Sequence, residues 1–222
     1  MTGEHAFVPA LGILPLAQRR LWDELTAVPE AFVLYGGTAL ALRLAHRQSV
    51  DFDFFGNFRF QPVSLVDAMP FLSDATITQQ APDTLTVQVD RGGPVKLSFF
   101  GLPGLRRLRQ PERANDIGLR VASMLDLAGT KAAVVQQRAE AKDYIDIDAI
   151  LRDGRVDLPT ALSAAGAIYG AAFNPLVTLK ALSFFDDGDL HRVPRDVRAR
   201  LAEACRLVDP GRLPILPTGP VS

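Results

Sequence analysis

The stretch GGTALALRLAHRQSVDFDFF, residues Gly36 to Phe55, contains the clearest structural pattern of the sequence. It follows AFVLY, which is typical of a short buried strand, and its ALALRLA segment is typical of a helix. SVDFDFF alternates with the period of two that places successive side chains on opposite faces of a strand. The stretch therefore predicts a strand, a glycine turn, a helix and a second strand, with HRQ as the last turn.

The glycine turn, Gly36 and Gly37, precedes the helix directly. Backbone N–H groups at a helix start point outward, the helix dipole favours an anion there, and glycines let that anion approach closely. Thr38 is expected to cap the helix and to offer a hydroxyl. This pattern indicates a phosphate site, although two glycines before a helix are also common as a plain tight turn.

The aspartate pair, Asp51 and Asp53, lies two residues apart in the second strand. The two carboxylates are expected to share one face while Phe52 and Phe54 point to the buried face. Adjacent carboxylates repel each other, and a divalent cation relieves that repulsion. Magnesium typically takes one or two carboxylates together with substrate phosphates. The pair therefore predicts a magnesium-bound triphosphate beside the glycine turn; an edge strand with a solvated acidic face is the alternative.

A helical pattern continues over residues 124–151, as one long helix or as two helices joined near Lys142. Three basic residues recur in it at i, i+7 and i+11, namely Lys131, Arg138 and Lys142. On one helix they would form a single stripe directed at a phosphate chain. The alternative is an amphipathic helix with a solvated charged side. Asp143 and Asp146, which follow, could instead pair with these cations.

The totals limit the class of protein. The chain has 222 residues, 48% of them hydrophobic, and a formal net charge of -1, which argues against a uniformly basic nucleic-acid binder. One cysteine allows no internal disulfide, and no apolar run is long enough for a bilayer, so a soluble, cytoplasmic protein without membrane contact is expected. Contact with a polyanion would need a local patch, and LRRLRQPER offers Arg106, Arg107, Arg109 and Arg113. A solvated loop is the alternative there.

Five segments in order, GGTALAL, HRQSVDFDFF, PVKLSFF, LDLAGTKAA and RAEAKDYIDIDAIL, resemble the motifs of AbiEii/AbiGii-type nucleotidyltransferase toxins, within the polymerase-β-like nucleotidyltransferase superfamily. The resemblance runs from about Phe32 to Leu151, over half of the chain. It implies a small mixed β-sheet that carries the aspartates, followed by a helical bundle. Together with the helical and proline patterns along the chain, this predicts an α+β fold in which residues 1–122 form the small mixed β-sheet with flanking helices, including an N-terminal helix. Residues 123–222 would form a helical region that completes the active site and ends in a proline-rich tail.

The resemblance also implies roles for particular residues. The residues of the phosphate turn and the metal pair, with a small hydroxyl residue before the pair, would be Gly36, Gly37, Thr38, Asp51, Asp53 and Ser49. Lys131 would contact the triphosphate, Asp143 and Asp146 would complete the pocket, and Arg47 and Lys96 are further candidate contacts. Ser98 stands where the wider fold often has a third carboxylate, so either Asp143 or Asp146 takes that role or the second metal is weakly held.

The function that this resemblance implies is transfer of a nucleoside monophosphate from a nucleoside triphosphate to an acceptor hydroxyl, with magnesium. Probable acceptors are RNA or tRNA, and many members are the toxin of a toxin–antitoxin pair, so an antitoxin is a candidate partner. Because Ser98 replaces an acid, a nucleotide-binding or partner-binding module with little catalysis is the alternative. A phosphatase of the haloacid dehalogenase type also uses D-x-D, but Phe54 and Phe55 follow the pair where that class has a small hydroxyl residue.

Overall fold

The structure is a computed structural model that describes residues 6–216. These divide into two compact units, which are described one after the other. The first unit contains residues 6–105 and Pro111–Ala122, and the second contains Arg106–Gln110 and residues 123–216. Of the predicted proline-rich tail, residues 213–216 form no helix or strand, and residues 217–222 lie outside the described residues.

The first unit contains one mixed β-sheet. Its strands are β1 (Ala6–Phe7), β2 (Phe32–Tyr35), β3 (Asp51–Gly56), β4 (Thr76–Ala81), β5 (Thr84–Asp90), β6 (Pro94–Gly101), β7 (Glu112–Ala114) and β8 (Arg120–Val121). Their order is β1-β7-β8-β2-β3-β6-β5-β4. The β1–β7, β2–β8 and β3–β6 pairs are parallel, and the other neighbours are antiparallel. The predicted mixed sheet is therefore confirmed, and β4 ends the sheet with a register shift between Ile77 and Gln79.

The centre of the sheet is built around the stretch of residues 36–55. β2 leads into helix α2 (Gly36–Leu44), and β3 returns antiparallel to β2. Strand β3 lies between β2 and β6, so the alternative of a solvated edge strand is wrong. Phe52 and Phe54 are fully buried, whereas Asp51 and Asp53 are only partly buried. The period-two alternation of the sequence thus predicts correctly which side chains of this central strand lie on the buried face and which lie on the other.

The apolar face of the sheet packs on short helices. Helix α1 (Leu16–Leu21) contacts β6 and continues into a 3₁₀ helix at Trp22–Ala27, where the Trp22 ring lies 6.5 Å from that of Phe52. A second 3₁₀ helix, Pro70–Leu72, contacts β5 and also contacts α3 (Pro62–Ala68). Aromatic rings fill this face: Phe54 stacks on Phe99 with centroids 5.0 Å apart, and Phe32 meets Phe99 edge-on at 5.3 Å. Burial of such rings and of the aliphatic side chains around them is the main favourable term for this unit.

The second unit is helical. Its helices are α4 (Met124–Val134), α5 (Ala141–Asp153), α6 (Leu158–Tyr169), α7 (Pro175–Leu182) and α8 (Arg195–Arg206). Ser123, Asp157 and Asn174 accept backbone N–H groups of the first turns of α4, α6 and α7, which fixes where those helices begin. None of the helices within residues 6–216 is both long and apolar enough to cross a membrane.

The single basic stripe expected on one long helix is wrong. Residues 135–140 separate α4 from α5, so Lys131 lies on α4, Arg138 lies between the helices, and Lys142 lies on α5. Bonds to distant residues hold this segment out of the helix. The side chain of Gln136 donates to the carbonyl of Asn174 at 2.8 Å. The N–H of Ala141, where α5 begins, donates to the carboxylate of Asp189 at 2.6 Å.

The contact between α4 and α6 depends on a glycine. A Cβ added at Gly129 would lie 3.0 Å from the carbonyl carbon and the Cβ of Ala164 and from the N of Ala165. A Cβ at Gly166, on α6, would meet nothing nearer than Phe173 at 4.0 Å. The close packing of the two helices therefore requires the glycine on α4 and not the one on α6.

We expect Gly129→Ala to lower the free energy of unfolding by about 1 kcal/mol, because backbone atoms of α6 must move. The matched change Gly166→Ala should raise it by roughly 0.5–1 kcal/mol, because alanine restricts the unfolded chain more than glycine does. Urea unfolding of both variants measures the two changes. An equal increase in the free energy of unfolding of the two variants would contradict the close contact between α4 and α6.

Candidate functional site

In the first unit, the predicted glycine turn lies directly against the aspartate strand. Gly36 has φ +74°, and a Cβ there would lie 2.9 Å from Oδ2 of Asp53. A Cβ at Gly37 would lie 2.7 Å from Oγ of Ser49 and 2.8 Å from Nη2 of Arg47. The two missing side chains therefore leave room for one carboxylate, one hydroxyl and one guanidinium around the first turn of α2.

The sequence predicts that Thr38 caps the helix, but in the structure it does not. Helix α2 begins at Gly36, its N-cap is Tyr35, and no side chain caps it. Thr38 is fully buried, and its hydroxyl donates to the backbone carbonyl of Asp51. Its hydroxyl therefore fastens α2 to the start of β3, while the first N–H groups of the helix have no partner within the helix.

The aspartate pair lies on one face of β3, next to two residues of β6. In register, Asp51 is opposite Lys96 and Asp53 is opposite Ser98. Nζ of Lys96 lies 3.9 Å from Oδ2 of Asp51, and their side chains are 52% and 38% exposed. The structure thus brings together the residues predicted around the phosphate turn and the metal pair in this unit: Gly36, Gly37, Thr38, Arg47, Ser49, Asp51, Asp53 and Lys96.

The residue types of this face fit a divalent cation. Asp51 and Asp53 supply the oxygen ligands that magnesium prefers, and both are partly accessible. Within residues 6–216, no three His, Cys, Asp or Glu side chains are grouped so that they could hold a metal by themselves. A cation at the pair would therefore need further oxygens from phosphate or water, as magnesium at a nucleotide does. Ser98, buried beside Asp53, adds a hydroxyl to this face and no charge.

In the second unit, the remaining predicted residues form a buried ion cluster. Nζ of Lys131 lies 2.7 Å from Asp143 and 2.7 Å from Asp146, and both aspartates are fully buried. Arg138 donates to Asp143 at 2.8 Å and 3.2 Å. The expectation that the aspartates could pair with the basic residues is confirmed for Lys131 and Arg138. Lys142 instead pairs with Glu140 at 2.7 Å.

The ion cluster fixes the charge state of Asp143. Burial by itself raises the pKa of this carboxyl, but the hydrogen bond from Arg138 and the charge and hydrogen bond of Lys131 outweigh burial, so its pKa lies below the usual value. Lys131 also links α4 to α5, since its two carboxylate partners lie on the second helix. An ammonium has three N–H donors, and two of them are directed at these aspartates.

We expect Asp143→Asn to lower the stability of the protein at neutral pH by about 3 kcal/mol, because it unbalances a buried ion cluster. The pKa of Asp143 is depressed in the folded protein. Its contribution is therefore present above the unfolded value of roughly 3.9 and is lost as the pH falls through the folded pKa. The stability difference between wild type and variant should thus narrow towards about pH 3.

Urea unfolding at the two pH values measures that difference. Asp196→Asn, which removes an exposed partner of Arg200, is the matched control and should change stability little. A deficit in Asp143→Asn that is the same at both pH values would contradict the assigned charge state.

Comparisons with known proteins identify the family of the chain. The family model described as nucleotidyl transferase AbiEii toxin, type IV TA system, matches residues 20–213. Uncharacterized protein aq_aa25 of Aquifex aeolicus (strain VF5) is 34% identical over 158 residues, which cover 70% of this chain and 74% of the relative. The fold is similar to that of MenT4, the nucleotidyltransferase toxin Rv2826c of Mycobacterium tuberculosis H37Rv. That similarity has a TM-score of 0.57 and 16% identity, over 86% of this chain and 82% of the other. The chain therefore belongs to the AbiEii nucleotidyl transferase toxin family.

Proposed function

We propose that the protein uses magnesium to transfer a nucleoside monophosphate from a nucleoside triphosphate to a hydroxyl of RNA. The observation that carries this proposal is the glycine turn at the start of α2, packed so closely on Asp53 that a Cβ at Gly36 would lie 2.9 Å from its carboxylate. A phosphate site and an oxygen-ligand site therefore share one corner of the first unit. The family assignment supports nucleotidyl transfer, and the magnesium and the RNA acceptor are part of the proposal.

The first N–H groups of α2, which have no partner within the helix, would bind phosphate oxygens of the triphosphate. Nη2 of Arg47 lies 2.8 Å from the position of a Cβ on Gly37, so its guanidinium borders the same space and adds positive charge. Lys96 is half-exposed beside Asp51 and can turn from that carboxylate to a phosphate. For Lys131, contact with the triphosphate remains the prediction that the family resemblance implies.

Asp51 and Asp53 would hold the magnesium. When bound, the magnesium would neutralise negative charge that develops on the phosphates. In the transfer, the acceptor oxygen forms a bond to the α-phosphorus while the bond to the β-phosphate oxygen breaks, and pyrophosphate leaves. The hydroxyl proton passes to a carboxylate of the pair or to water. The main contribution of the protein is positioning, with the turn and the aspartates on adjacent elements of one sheet.

A nucleotide-binding module with little catalysis is the second candidate, and the buried Ser98 beside Asp53 favours it. A hydroxyl there cannot act as an additional carboxylate base or metal ligand of the same strength. This candidate predicts that triphosphate and a divalent cation stabilise the protein without release of pyrophosphate. An antitoxin is a proposed partner under either candidate.

We expect the wild type to label RNA from at least one radioactive triphosphate in the presence of magnesium. Asp51→Asn and Asp53→Asn should each reduce labelling roughly a hundredfold or more, because each removes a ligand charge. Asp67→Asn is the matched control, since Asp67 is an exposed aspartate of α3 in the same unit. Gel analysis of RNA and assay of pyrophosphate give the two readouts. Retained labelling in both site variants would exclude this site, and pyrophosphate in no mixture would favour the binding module.

We expect Gly37→Ala to weaken triphosphate binding, because its Cβ would lie 2.7 Å from Ser49 and 2.8 Å from Arg47 and would displace both from the turn. The KM for the triphosphate should rise by roughly tenfold or more, which corresponds to about 1.4 kcal/mol. Gly104→Ala is the control, since nothing lies within 4 Å of a Cβ there, although its φ of +90° makes some loss of stability normal. An unchanged KM in Gly37→Ala would contradict a phosphate site at this turn.

A further inference from the structure

The short segment Arg106–Gln110 of the second unit is held in place by a buried carboxylate. The backbone N–H of Leu108 donates to Oδ1 of Asp126 at 2.7 Å, and that of Arg109 donates to Oδ2 at 3.2 Å. The hydroxyl of Ser123 donates to the same carboxylate at 2.6 Å and accepts the backbone N–H of Asp126 at 3.1 Å. Ser123 thus caps the start of α4, and the carboxylate of Asp126, held by the Ser123 hydroxyl, also anchors the segment.

Apolar packing fixes the same segment from its other side. The Leu108 side chain is 6% exposed and forms a cluster with Ala164 and Ile168 of α6. Two backbone hydrogen bonds and one buried side chain therefore restrain a segment of five residues. The conformation of such a segment is set before any partner arrives, so little ordering entropy is lost when it binds.

The anchored segment presents two arginines that no carboxylate of the described part of the chain neutralises. Arg106 and Arg109 are exposed, and within residues 6–216 neither forms an ion pair. Other exposed arginines of this unit do: Arg192 pairs with Asp189 and Arg212 with Asp209. Two uncompensated guanidiniums three residues apart thus project from a restrained backbone.

Two other arginines of the basic cluster behave differently. Arg107 is half-buried, and its charge acts on Asp126. Arg113 belongs to β7 of the first unit, where it donates to the carbonyl of Gly118 and pairs with Glu30 at 3.1 Å. The four-arginine cluster suggested by the sequence is therefore reduced to Arg106 and Arg109 as the groups available for an anion.

We infer that the segment Arg106–Gln110 is a preorganised contact for the phosphate backbone of the acceptor RNA, with Asp126 as its positioning residue. The inference rests on the proposed transfer to RNA. Guanidinium groups bind phosphate through paired N–H donors, and exposed arginines supply the salt-dependent part of nucleic-acid binding. An acidic protein is less suitable, because the segment has its one apolar side chain, Leu108, buried, and protein interfaces have an apolar centre.

The salt dependence of RNA binding tests this inference. Binding of fluorescein-labelled tRNA to the full chain is measured by anisotropy over a range of NaCl concentrations. Arg106→Gln with Arg109→Gln should lower the slope of log Kd against log salt by roughly 1.4 to 1.8, which corresponds to two lost phosphate contacts. Arg192→Gln with Arg212→Gln removes the same charge from the same unit and should leave the slope unchanged.

A second variant separates positioning from charge. Asp126→Asn retains both arginines but provides an amide N–H₂ where an acceptor is needed. Hydrogen exchange at the amides of Leu108 and Arg109 should become faster in this variant, and tRNA binding should weaken. The double arginine variant should weaken binding while those amides remain protected. If Asp126→Asn fails to fold, the salt slope of the double variant still decides the matter.

Some results would overturn the inference. An unchanged slope in the double arginine variant, in a wild type that binds and labels RNA, overturns it and leaves the proposed function intact. If triphosphate and Mn²⁺ stabilise the wild type but it neither binds nor labels RNA, RNA is not the acceptor. That result overturns both this inference and the RNA acceptor of the proposed function. In a third outcome, the wild type binds polyglutamate and not tRNA, and the double arginine variant lowers the salt slope of polyglutamate binding. That result would overturn the inference and identify an acidic polypeptide as the partner.

Discussion

The close approach of the backbone at Gly36 to the carboxylate of Asp53 is the constraint on which the first unit depends. Strand β2 passes into α2 with no residue between them, and β3 pairs antiparallel with β2, so the helix start lies beside the aspartate strand. A side chain at Gly36 would occupy the space in front of the carboxylate. The buried hydroxyl of Thr38 donates a hydrogen bond to the carbonyl of Asp51, which joins α2 to the start of β3. Backbone, hydroxyl and carboxylate therefore form one rigid assembly.

The second unit contains buried charged groups that compensate one another. Asp143 and Asp146 are inaccessible, and Lys131 with Arg138 supplies the opposite charges. Such a cluster adds little net stability compared with apolar residues of similar volume, but it tolerates only one relative position of its members. The short stretch between α4 and α5 is thereby fixed, although it forms no helix.

Much of the first unit was predictable because the deciding signals are local. The alternation of Asp51 to Phe54 identifies both faces of β3, and the glycine pair marks the start of α2. The role of Thr38 was not predictable, because a hydroxyl near a helix start usually caps it, and here the helix begins two residues earlier. The sequence left open whether residues 124–151 form one helix or two joined near Lys142, and the structure has two, separated by residues 135–140. The position of the break was not predictable, since Gln136 is held by Asn174 and Thr178, about forty residues away. Strands as short as β1 and β7 contain too few residues to show any period.

Strand β4 is the last strand of the sheet in the described part of the chain, and all six of its residues are exposed. Its sequence, TITQQA, contains no charged residue and no proline, the usual deterrents to pairing between sheets of different molecules. The register shift between Ile77 and Gln79 breaks the regular spacing of backbone groups along this edge. An irregular edge is a poor template for another strand. This one-residue shift therefore makes the β4 edge less suited to pairing with a strand of a second copy.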